Sequence, residues 1–159
     1  MNYLDETAKQ NILCEWGRLI ENSGAPGYPD PQIVPVCDAL NRLPGICTIS
    51  SCEGHGGHGS SGYLWIRLDR ETAEVFHQHA WTLAGKRGVW SLRFSYDRLE
   101  GPVVEITFPS GVAGARVTIL GFFKHITKLA DTIRRDKARW QRDGTGRVVD
   151  EGLGPKEGV

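Results

Sequence analysis

The chain has 159 residues, 40% of them hydrophobic, with five Trp and five Phe. That content excludes an unstructured chain and suffices for one core without disulfide or metal staples. Nineteen basic residues balance nineteen acidic ones, so net charge selects neither a nucleic acid nor an acidic partner and leaves only local patches to consider.

No apolar run approaches the length that spans a bilayer, and the first residues do not read as a secretory signal. The four cysteines, Cys14, Cys37, Cys47 and Cys52, have no paired spacing. The expectation is a reduced, cytoplasmic protein with no membrane partner.

Leu4, Ala8, Ile12, Trp16, Leu19 and Ile20 recur at helical spacing and predict a helix over 4–21 with Asp5 as N-cap. Pro26, Pro29 and Pro31 make the next stretch an ordered loop. A second helix is expected over 32–43, with Pro35 in its first turn and Pro44-Gly45 ending it. Cys14 and Cys37 fall within these patterns and are expected in the core. Ile46 to Ser51 and Tyr63 to Leu68 read as strands around a glycine-rich loop. Glu71 to Ala84 reads as a helix capped by Asp69, with Ala73, Phe76, His77, Ala80 and Ala84 on one face. Val89 to Tyr96 and Val103 to Phe108 alternate as two antiparallel strands turning near 97–102. A last helix over 118–140 carries Leu120, Phe123, Ile126, Leu129, Ala130 and Ile133 as its stripe, with Arg134, Arg135, Lys137 and Arg139 near its end. The order α-α-β-β-α-β-β-α predicts an α/β (α+β) domain over 1–140, a mixed sheet of about four strands packed on helices, and a disordered tail over 141–159.

Chemistry concentrates in Ser50-Ser51-Cys52-Glu53-Gly54-His55-Gly56-Gly57-His58. A strand holds Cys52 rigidly at its end, the glycines let backbone N–H groups approach a ligand, and imidazoles titrate near neutrality. Three chemistries compete. Cys52, His55 and His58 have the donors and spacing of a zinc knuckle, with Cys47 or His77 to complete the tetrahedron. Cys52 and His55 have the makings of a thiolate–imidazolium pair, which Glu53 opposes. The third is recognition of a nucleotide-like molecule or an RNA strand by hydroxyl and backbone groups. A non-enzymatic module, either zinc-stabilised or sequestering a small nucleotide, is the alternative to an enzyme.

The segment Ile49-Ser50-Ser51-Cys52-Glu53-Gly54-His55 resembles the Thr-Ser-Ser-Cys-Ser-Gly-Arg signature of the wybutosine-synthesis methyltransferases. Ser50, Ser51, Cys52 and Gly54 match, and the preceding helix with its Leu40-Asn41 turn adds to the likeness. The resemblance implies S-adenosylmethionine as cofactor and methylation of a modified guanosine in tRNA. It also implies a pocket lined by Ser50, Ser51, Cys52 and Gly54, with His55 in the anion-facing or acid–base role of the family's arginine. The loop 110–115 is a candidate to close that pocket.

Elsewhere, Lys86-Arg87 and Arg93 beside Trp90 and Phe94 show basic–aromatic interleaving, although strands carry such alternation routinely. His79 and His125 read as solvated.

Overall fold

Asp5 starts the first helix as its sequence predicts: its carboxylate accepts the Ala8 N–H at 2.7 Å, satisfying one of the unpaired donors of a helix N-terminus. The computed structural model describes residues 2–52, 61–84, 89, 91–108 and 112–142. Within them the chain forms α1 (Glu6–Ile20), α2 (Val34–Asn41), β1 (Ile46–Cys52), β2 (Gly62–Leu68), α3 (Arg70–Ala84), β3 (Ser91–Asp97), β4 (Gly101–Phe108) and α4 (Val112–Arg142). This is the predicted order, and the fold is α/β. Asp69 caps α3 by accepting the Thr72 N–H at 2.9 Å.

The four strands form one sheet in the order β1-β2-β4-β3. The sheet has the four strands expected, and every pairing among the described residues is antiparallel where a mixed sheet was expected. The α3 crossover carries the chain to the far edge, and β4 folds back between β3 and β2. The β3–β4 turn is fixed by Asp97, whose carboxylate accepts the N–H groups of Leu99 and Glu100.

Strand alternation sorts the side chains between two faces. Leu64, Ile66 and Leu68 of β2 and Val104, Ile106 and Phe108 of β4 are fully buried on the inner face. Helices α3 and α4 close that face. Phe76 stacks on Phe94 at 5.4 Å and on Phe123 at 6.0 Å, and meets Phe122 edge-on at 5.8 Å. At the other end of α4, Arg134 grips Asp69 through Nε at 3.0 Å and Nη2 at 2.7 Å, and also donates to Thr72 Oγ1 at 2.6 Å. One guanidinium therefore ties the last helix to the start of α3, immediately beside Gly45, which has a φ of 69°.

Some expectations require correction. Cys14 is exposed, not a core filler. It lies on the solvent stripe of α1 with Thr7, Asn11 and Arg18, where the helical period returns. His77 and Ala84 are likewise exposed, because the buried stripe of α3 runs through Thr72, Ala73, Val75, Phe76 and Leu83. Helix α4 begins at Val112, so residues 112–115 of the expected closing loop are helical. Ala115 and Ile119, one turn apart, extend the buried stripe, which outweighs the roughly 1 kcal/mol that a glycine costs a helix. The remainder of that loop and the segment 143–159 lie outside the described residues. Among the described residues, no helix is long and apolar enough to cross a membrane.

Candidate functional site

Strand β1 does not alternate evenly. Thr48 pairs with Ile66 but Ser50 pairs with Trp65, so Ile49 is an extra residue, a β-bulge. Above it the register runs Ser51 to Leu64 and Cys52 to Tyr63. Ser51 therefore shares the inner face with Leu64, and its hydroxyl reaches the Cys37 thiol of α2. Ser50 and Cys52 lie on the outer face with Trp65 and Tyr63, and Ser50 Oγ stands 3.5 Å from the Tyr63 hydroxyl.

The strand is anchored from below. Asn41, at the end of α2, accepts from Thr48 N at 2.8 Å and from Thr48 Oγ1 at 2.9 Å through the same oxygen. Because the Thr48 N–H can only donate, it fixes which way the amide points. Among the described residues the buried Asn41 Nδ2 has no partner.

A cleft of about 530 Å³ runs along this part of β1. Thr48 to Cys52 form one side, Tyr63 adjoins them, and Trp16 and Leu19 at the end of α1 face them. The far wall is the loop 24–30. That loop is ordered by the Pro29 carbonyl, which takes the Gly24 N–H at 3.1 Å and the Ser23 hydroxyl at 2.9 Å, and by the Ala25 carbonyl, which takes the Tyr28 N–H at 3.1 Å. Gly24 and Gly27 have φ values of 90° and 83°, a region that residues with side chains rarely adopt. Trp16 is held by its indole N–H, which donates to Asp38 of α2 at 2.7 Å.

The lining is chemically mixed: hydroxyls from Thr48, Ser50, Ser51 and Tyr63, the Asp30 carboxylate, the Cys52 thiol and the rings of Trp16, Tyr28 and Tyr63. Among the described residues no lysine or arginine lines it. Such a cleft suits a neutral, planar, polyhydroxylated group better than a bare phosphate. Two thiols beside this region are inert by burial. Desolvation pushes Cys37 up to about 11, against opposing bonds from Ser51 and Thr48, and pushes Cys47 up to about 11 against the nearby charges of Lys9 and Arg67. Lys9 moves the other way: its buried ammonium donates to the Leu43 carbonyl at 2.5 Å, and desolvation lowers its pKa.

Of the residues singled out in the sequence, Ser50, Ser51 and Cys52 all line the cleft. Glu53, Gly54, His55 and His58 lie outside the described residues. The expected completion of a zinc site is not supported. Cys47 is five positions before Cys52 on one strand, roughly 16 Å away at about 3.3 Å per residue, and is fully buried. His77 packs on Phe94 of β3 at 5.6 Å, at the opposite edge of the sheet from β1. Among the described residues no three His, Cys, Asp or Glu side chains cluster as metal ligands. Arg93 and Phe94 do not form one patch either, since Phe94 faces the core. Sequence reasoning missed Trp16, Tyr63 and the 24–30 loop as walls. The spacing of Pro26, Pro29 and Pro31 marked an ordered loop but not where it docks.

No family model matches the chain, and no curated protein does. Among solved structures, the PH1069 protein from Pyrococcus horikoshii is similar over 86% of this chain and 90% of its own, with 15% identity and a TM-score of 0.39.

Proposed function

We propose that the chain binds a nucleotide-like ligand in the cleft beside Ser50, Ser51 and Cys52, and that methyl transfer to a modified nucleic acid is the activity this binding serves. One observation carries the reading: the three signature residues that the structure describes line a single cleft of about 530 Å³, within the range of small-molecule sites. The residues present fit the nucleoside part of S-adenosylmethionine. Trp16 and Tyr63 offer faces for a purine, and the Asp30 carboxylate and the serine hydroxyls offer partners for ribose oxygens. When bound, that cofactor would supply an electrophilic methyl group. The chain's own contribution is to hold the nucleoside between aromatic walls and to exclude water with the 24–30 loop.

Calorimetric titration of the full chain with S-adenosylmethionine, S-adenosylhomocysteine and guanosine tests the reading. Binding of at least one, weakened about tenfold by Tyr63→Ala through loss of a stacking wall, is the expected result. Folded protein that binds none of the three removes it. Transfer of labelled methyl from S-adenosylmethionine to unmodified or partly modified tRNA then separates an enzyme from a protein that only sequesters its ligand.

A further inference from the structure

The cleft shares Ser50, Cys52 and Tyr63 with the outer face of the sheet, and that face has chemistry of its own. Cross-strand register places Trp65 of β2 directly between Ser50 of β1 and Glu105 of β4, with Arg93 of β3 opposite Glu105. In the next row Tyr63 lies beside Thr107. Trp65 is 42% exposed although it occupies an interior strand, where an indole ordinarily finds cover. Its ring and that of Tyr63 are 6.1 Å apart, inclined at 47°. Arg93 is paired with Glu105 at 3.7 Å, but its side chain is 74% exposed. A pair so open to water is weakly held, which leaves the guanidinium available to a phosphodiester.

We infer that this face is a stacking platform for a single-stranded nucleic acid: Trp65 takes the base adjoining the nucleotide whose neighbour enters the cleft past Tyr63. The inference extends the nucleotide reading of the cleft to a polymeric substrate and names the residue that grips it. Three features favour this occupant. Ring faces accept any base, and hydroxyls and an arginine flank them, the combination that binds unpaired strands. The two ring faces are inclined at 47° to each other, so bases laid on them are splayed, as those of an unpaired strand can be and those of a duplex cannot. These two rows present no aliphatic side chain outward, so a protein partner would find little apolar surface to bury. Tyr63 belongs to both the cleft and the platform, which makes the two surfaces continuous.

Fluorescence anisotropy with a fluorescein-labelled short oligoadenylate tests this on the full chain. Trp65→Ala is expected to weaken binding about tenfold, the worth of one stacked base. Trp65→Phe should recover most of that loss, and Trp81→Ala, at a 76% exposed position on α3, should leave binding unchanged. Duplex of the same sequence should compete poorly. The inference is overturned if the wild-type chain does not bind the oligonucleotide, or if Trp65→Ala binds it as well as wild type does. Calorimetry with S-adenosylmethionine on the same variants separates the two readings. If the oligonucleotide effect appears while S-adenosylmethionine fails to bind, the platform stands and the cofactor reading of the cleft falls.

Discussion

Replacing Gly45 by alanine probes the joint between the sheet and the last helix. Gly45 has a φ of 69°, where an L-residue costs about 1–2 kcal/mol. A Cβ there would also fall on the Arg134 guanidinium and within 2.5 Å of both Asp69 Oδ1 and Thr72 Oγ1. These are the groups that link α4 to the cap of α3. Arg134 and Asp69 side chains are only 24% and 18% exposed, so their charge-assisted bonds contribute roughly 1.5–3 kcal/mol. Pushing the guanidinium aside loses part of that, and the sum is about 3 kcal/mol. Gly27 supplies the control. Its φ is 83°, yet none of the described residues lies within 4 Å of the added methyl, so Gly27→Ala should cost only the conformational part, about 1 kcal/mol. Urea unfolding should place the Gly45→Ala midpoint lower by about 1–2 M at unchanged slope. Equal destabilisation by the two substitutions would refute the clash argument and leave only backbone strain. In the Arg134→Ala background, Gly45→Ala should cost less than in the wild type but still more than Gly27→Ala, because Asp69 Oδ1 and Thr72 Oγ1 continue to crowd the methyl.

The buried thiols make the fold sensitive to alkali. Cys37 and Cys47 sit at about 11 against an ordinary 9.0, so their stabilisation is full below pH 9.0 and is lost as pH rises toward 11. The loss is about 1.4 kcal/mol per pH unit for each thiol. Lys9, with a lowered pKa, works in the opposite direction as pH approaches its ordinary value of 10.5. The Cys37→Ala variant should therefore show a shallower fall in urea midpoint between about pH 8 and pH 11, and parallel curves would contradict the assignment. In native protein, Ellman's reagent should titrate exposed Cys14 rapidly and reach Cys37 and Cys47 only on unfolding. Trp16→Phe should destabilise by about 1 kcal/mol through the lost bond to half-buried Asp38, and should also weaken any ligand held against that wall, as read by calorimetry.

What was readable in the sequence is what short-range physics controls. Asp5 and Asp69 announce helix starts because a cap acts over three residues. Leu64, Ile66 and Leu68 announce a strand because burial alternates. Ser50 to Cys52 stood out because hydroxyls and a thiol end a β-branched run. The misplacements share a different cause. Cys14 sits in an apolar pattern, but which stripe of α1 faces inward depends on Trp16 reaching Asp38 of another helix. Residues 112–115 look like a loop until Ala115 is seen to be buried in the core. Trp16 and the loop 24–30 lie far from β1 in sequence, and only the tertiary fold brings them to the same cleft. Nor does composition distinguish Trp65, an exposed indole on an interior strand, from the other four tryptophans.

The extra residue at Ile49 inverts the parity of one strand. Below it odd-numbered side chains such as Cys47 face outward, and above it even-numbered ones do. A variant lacking Ile49 retains enough residues to pair with β2 along its whole length, so the fold has a way to persist. Ser50 would then follow Thr48 directly and keep its place opposite Trp65, and Ser51 its place opposite Leu64, so both hydroxyls would stay on their own faces. The surface that β1 presents is therefore set by its pairing with β2, and what the extra residue adds is the local bend and twist of the strand where it borders the cleft.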